Sequence, residues 1–79
     1  MKVRVDVMLK EGVLDPQGKA IGHALSTLGF NGVQEVRAGK VIELDLKETN
    51  AEKAVESVKN MAEKLLANQV IEDYRVSVL

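Results

Sequence analysis

Two hydrophobic periods alternate along this chain, and their order limits its fold more than any other feature. From Lys2 to Lys10 the residues Val3, Val5, Val7 and Leu9 fall on one side of an extended segment, with Lys2, Arg4, Asp6, Met8 and Lys10 on the other. That is the period of a half-buried strand, written in residues that favour strands. The period then lengthens: Ala20, Ile21, Ala24, Leu25 and Leu28 recur at the spacing of one helical face. Asp15 and Pro16 set the start of that helix. A carboxylate at the N-cap accepts a free first-turn amide, and proline at the next position has no amide to lose. Gly29 is the expected C-terminal cap, with Phe30 packing back from just beyond it.

The same alternation continues. Val33 to Ala38 reads as a short second strand, Gly39-Lys40 as a turn, and Val41 to Lys47 as a stronger strand with Ile42, Leu44 and Leu46 on one side. Thr49 and Glu52 have capping-box spacing, which starts the second helix one residue before the Asn50 cap. Its stripe is Ala51, Ala54, Val55, Val58, Met61, Ala62 and Leu65, its outer side carries mixed charges, and Asn68 stops it. A last strand follows from about Ile71 to Val78, with Tyr74, Val76 and Val78 inward. The order β-α-β-β-α-β predicts a single domain over 1–79, a ferredoxin-like α+β sandwich with both helices on one face of an antiparallel sheet. Strands one and three are then central, and strands two and four are edges.

With 79 residues and no cysteine, such a domain has a small core and no disulfide to support it. Domains of this size bury only about 60% of their unfolded surface, so oligomerisation is the expected source of further stability. The single histidine and the missing cysteines leave no metal-ligand set. Eleven basic and twelve acidic residues are interspersed, and only Phe30 and Tyr74 are aromatic. Neither a basic stripe nor a stacking platform for nucleic acid follows from that. No apolar run approaches the roughly 20 residues of a membrane span, and the alternating N-terminus is not a signal peptide. A cytoplasmic location is expected.

Candidate functional residues gather around the first helix. Gly18 and Gly22 lie four residues apart and each weakens a helix interior by roughly 0.5–1 kcal/mol. Either another subunit lies against this bare strip, or the glycines pack on the protein's own sheet. An unpaired edge, Val33 to Ala38 or Ile71 to Val78, offers a second way to meet another copy. His23 has Ser26 three residues on, but a helical pair of that kind is no catalytic constellation without an orienting group. Asp15 reads as a cap. "LDPQG" lacks the spacing of a phosphate loop. Arg37 and Lys40 place two cations about the expected turn, a solvated feature or an anion contact. No catalytic set and no cofactor-binding loop is present in the pattern.

Taken together, the run Lys10-x-Gly12-Val13-x-Asp15-Pro16-Gln17-Gly18, then Ala24-Leu25, Leu28-Gly29 and Arg37-x-Gly39-Lys40, resembles the PurS subunits of phosphoribosylformylglycinamidine synthase along nearly the whole chain. The resemblance implies a small non-catalytic subunit of de novo purine synthesis. Such subunits form dimers or tetramers that bridge an ATP-dependent synthetase (PurL) and a glutaminase (PurQ), and help glutamine-derived ammonia reach formylglycinamide ribonucleotide. ATP and magnesium would belong to the synthetase, with no cofactor on this chain. Asp15, Gly18, Gly22, His23, Arg37 and Lys40 are the subunit-contact candidates. The alternative is an ACT-like small-molecule-sensing module of the same topology. Those modules are usually appended to an enzyme, and no linker for attachment is apparent.

Overall fold

The computed structural model of the chain describes residues 1–79. Five elements and one wide turn follow one another: β1 (Lys2–Leu9), α1 (Pro16–Thr27), β2 (Gly39–Asp45), α2 (Ala51–Met61), a π-helical turn (Ala62–Leu66) and β3 (Glu72–Val78). The α+β class with an antiparallel sheet and two helices is as the alternating periods predict. The sheet has three strands in the order β2-β1-β3, both pairings antiparallel. Register places Val3, Val5 and Val7 opposite Leu44, Ile42 and Lys40 on one side, and opposite Val78, Val76 and Tyr74 on the other.

The expected strand from Val33 to Ala38 does not form; its backbone is drawn to α1 instead, by contacts described below. Two consequences follow. Gly39 and Lys40, expected as a turn, become the first residues of β2, and β2 becomes an edge rather than a central strand. Glycine is required at 39, because a β-carbon there would collide with the Val7 carbonyl and the Met8 sulfur across the pairing.

The core lies under α2. Val3, Val5 and Val7 of the central strand are essentially solvent-free and meet Ala54 and Val58, with Ala62 also buried in the π turn. Alternation put those valines on one face, and strand centrality buries them completely. Asn50, not Thr49, caps α2: its side-chain oxygen accepts the Lys53 amide at 3.1 Å, and Thr49 instead donates its own amide to Glu48. The helical stripe runs on through Ala62, but the last turn widens and Leu65 turns outward, 83% exposed. Asn68 then makes the turn into β3, its side chain accepting from Val70 N–H and its carbonyl from Ile71 and Glu72.

α1 ends as predicted. Gly29 has φ +98°, Gly29 N–H reaches the Ser26 carbonyl and Phe30 N–H reaches the Leu25 carbonyl, which is the Schellman pattern. Phe30 itself stays 59% exposed rather than packing back. Among the α1 residues only Gly18 is buried.

Candidate functional site

The one region where several sequence elements converge is a groove between the β1–α1 loop, the first turns of α1 and residues 33–37. Its shape starts with Gly12, at φ +84°, in a turn closed by Val13 N–H on the Lys10 carbonyl. Glycine suits the third position of a turn that needs positive φ. Lys10 N–H donates to the Ile71 carbonyl at 2.8 Å, so the loop is anchored to the entry of β3.

Asp15 then ties three segments together. One carboxylate oxygen accepts Gly18 N–H at 2.8 Å, the capping bond the sequence predicts. The other accepts Ala38 N–H at 2.9 Å, fixing the segment that leads into β2. These bonds, Gly18 first and Ala38 second, hold the Asp15 carboxyl below the ordinary carboxylate range; partial burial opposes them, and the Gln17 amide and the Arg37 guanidinium assist. Arg37 Nη2 donates to the Leu9 carbonyl, so the guanidinium bridges the end of β1 and the same lead-in segment.

The glycines of α1 face this segment. A β-carbon at Gly18 would strike the Val36 carbonyl oxygen, so the backbone of residue 36 crosses α1 in direct contact. At Gly22 the nearest atom to such a carbon would be Val36 Cγ2 at 3.5 Å, an ordinary contact. Within the chain, the close neighbour is therefore not the sheet but the stretch expected to be a strand. Asp15, Gly18, Gly22, His23 and Arg37 all line the resulting groove of about 740 Å³. Lys40 does not; it borders a second, smaller recess with Gln17 and Glu72. His23 is exposed and offers its backbone carbonyl to Thr27 Oγ1 at 3.0 Å, with no hydrogen bond from its ring to Ser26. The groups that complete the site, Val36 O, Ala38 N and Leu9 O, are backbone atoms, and no residue type in the sequence announces them.

This is a clamp that sets the direction of a helix, built of hydrogen bonds and one glycine contact; no trio of His, Asp and Glu side chains converges as metal ligands would. The family model for PurS, phosphoribosylformylglycinamidine (FGAM) synthase, matches residues 2–79. The chain belongs to the PurS family. It is 56% identical over 77 residues to the Bacillus subtilis PurS subunit, covering 98% of this chain and 90% of that one. It is 48% identical to the Methanocaldococcus jannaschii PurS subunit, covering 98% and 93%. Among solved structures, a C2 crystal form of B. subtilis PurS superposes with a TM-score of 0.85 at 55% identity, over 96% of this chain and 94% of that one. A structure of PurLQS from Thermotoga maritima contains a chain matching at a TM-score of 0.89 and 40% identity, over 99% and 95%. The PurS match decides against the ACT-like alternative, and the chain is a subunit of FGAM synthase, in purine biosynthesis.

Proposed function

We propose that this PurS chain is the non-catalytic subunit that bridges an ATP-dependent synthetase and a glutaminase, so that ammonia released from glutamine reaches formylglycinamide ribonucleotide. The observation that carries the reading is the match to the T. maritima PurLQS structure, which extends over 99% of this chain. In that role the chain binds neither ATP nor magnesium; both serve the synthetase, which activates the formamide oxygen that ammonia replaces. The work is done in the cytoplasm, where no membrane-crossing helix is called for; none here is long and apolar enough to be one.

The chain acts as a homodimer or tetramer. A core of seven buried apolar residues supports that reading, being small for independent stability. The clamp gives the subunit a defined outer contour at the β1–α1 loop, with His23 and Lys40 exposed on either side as contacts for the larger subunits. Co-elution tests the reading directly. With nucleotide and glutamine present, this chain is expected to elute from a sizing column together with the synthetase and the glutaminase, and to be needed for those two to elute together. A synthetase–glutaminase complex that forms equally well in its absence would contradict the bridging role.

A further inference from the structure

The chain has four asparagines, and the fold engages all but one of them. Asn50 caps α2 with its side-chain oxygen on the Lys53 amide. Asn68 holds the turn into β3 by accepting Val70 N–H. Asn60 lies inside α2, where regular helix fixes the backbone on both sides of it. Asn31 has no such role. It is exposed and followed by Gly32, and the two residues form the centre of a turn just beyond the end of α1. Asparagine and glycine both suit turns, so the pair needs no further reason as local structure. Its surroundings set it apart.

No hydrogen bond between backbone groups involves residues 31–37, so the Gly32 N–H is free. The Asn31 carboxamide is not hydrogen bonded either; the polar contacts that hold this part of the chain come later, where Arg37 reaches Leu9 and Asp15 takes the Ala38 amide. Around Gly32 the space is open, and a β-carbon there would meet nothing within 4 Å. A free backbone nitrogen therefore lies next in the chain to a free side-chain amide, with no β-carbon to crowd the approach. Glycine also lets the backbone rotate to the angle at which that nitrogen meets the side-chain carbon.

We propose that Asn31–Gly32 is a site of spontaneous covalent modification, where Asn31 loses ammonia through a cyclic imide and becomes aspartate and isoaspartate. The Gly32 nitrogen gives its proton to hydroxide and bonds to the Asn31 Cγ. The bond from Cγ to the carboxamide nitrogen breaks, and that nitrogen leaves as ammonia with a proton from water. A water molecule then opens the imide at either carbonyl, so ammonia leaves, water enters and nothing is oxidised or reduced. Opening at the side-chain carbonyl gives aspartate. Opening at the main-chain carbonyl gives isoaspartate, whose backbone runs through the former side chain and is one methylene longer. Either product adds a negative charge to a chain of net charge −1. The change enters just before Val33, where the chain begins to form the wall of the groove. The proposal depends on neither the copy number nor the bridging role.

The full chain is aged in mildly alkaline buffer at physiological temperature, digested under acidic conditions and mapped by mass spectrometry. Asn31 is expected to gain the mass by which water exceeds ammonia, at least about tenfold faster than Asn50, Asn60 or Asn68. The product should separate into two peptides of equal mass, one of them a substrate for an isoaspartyl methyltransferase. Gly32→Ala, for which the structure leaves room, should slow the conversion at least about tenfold at an unchanged far-UV signal. A second measurement needs no variant: because the fold leaves this turn free, folded chain should convert Asn31 within about tenfold of the rate in guanidinium chloride. Conversion at Asn31 no faster than at the other three asparagines would overturn the proposal. So would aspartate without isoaspartate, Gly32→Ala ageing at the parent rate, or a fold that shields Asn31 beyond that margin.

Discussion

Asp15 uses one carboxylate oxygen to cap α1 and the other to hold Ala38, so a single side chain fixes both the start of the helix and the path of the chain after it. Because those bonds depress its folded pKa, the contribution is complete above the unfolded value of about 3.9 and is lost as pH falls through the lower folded value. Stability should therefore be insensitive to this group from pH 5 upward in round terms and decline below about pH 4. Asp15→Asn should remove much of that acid dependence, read from urea midpoints measured across the acid range. The two glycines make a sharper pair. Gly18→Ala should destabilise by about 1–3 kcal/mol, because the Val36 carbonyl is in the way. Gly22→Ala meets only a van der Waals contact and should stabilise by roughly 0.5 kcal/mol, through helix propensity. Chemical unfolding at one fixed protein concentration checks both, since association shifts apparent stability. If the two substitutions behaved alike, the close passage of residue 36 would be wrong.

At the scale of elements, what could be read in advance was whatever repeats. β1 was legible because four apolar residues alternate without a break, and the buried stripe of α2 because Ala54, Val58 and Ala62 keep helical spacing. The segment 33–38 was misread because its fate is decided elsewhere: Asp15 takes its last amide, α1 takes the Val36 carbonyl at a glycine, and Arg37 reaches back to Leu9. Strand pattern gives no sign of such contacts, which join residues about 20 apart or more through backbone atoms. Half of the clamp was nonetheless visible, since Asp-Pro at a helix start names its own cap. The cap of α2 was displaced by one residue, Asn50 prevailing over Thr49, and this has a simple check. Asn50→Ala should cost about 1 kcal/mol and Thr49→Ala close to nothing. Within the core, Val58→Ala should cost about 2 kcal/mol, whereas an exposed change on the same helix such as Glu56→Ala should stay within about 0.5 kcal/mol.

At the scale of the whole molecule, the chain is a slab of 48 × 25 × 14 Å with one well-buried patch, a projecting helix and two free sheet edges. That is the form of a component rather than of a self-sufficient globule, and it agrees with membership of a family whose T. maritima relative was solved as PurLQS. The bridging role is tested by amidine formation by purified synthetase and glutaminase subunits, with and without this chain, driven in parallel by glutamine and by free ammonia. A bridging chain restores the glutamine-driven rate and leaves the ammonia-driven rate nearly unchanged. A glutamine-driven rate that does not respond to the chain, with both larger subunits active on their own substrates, would contradict it.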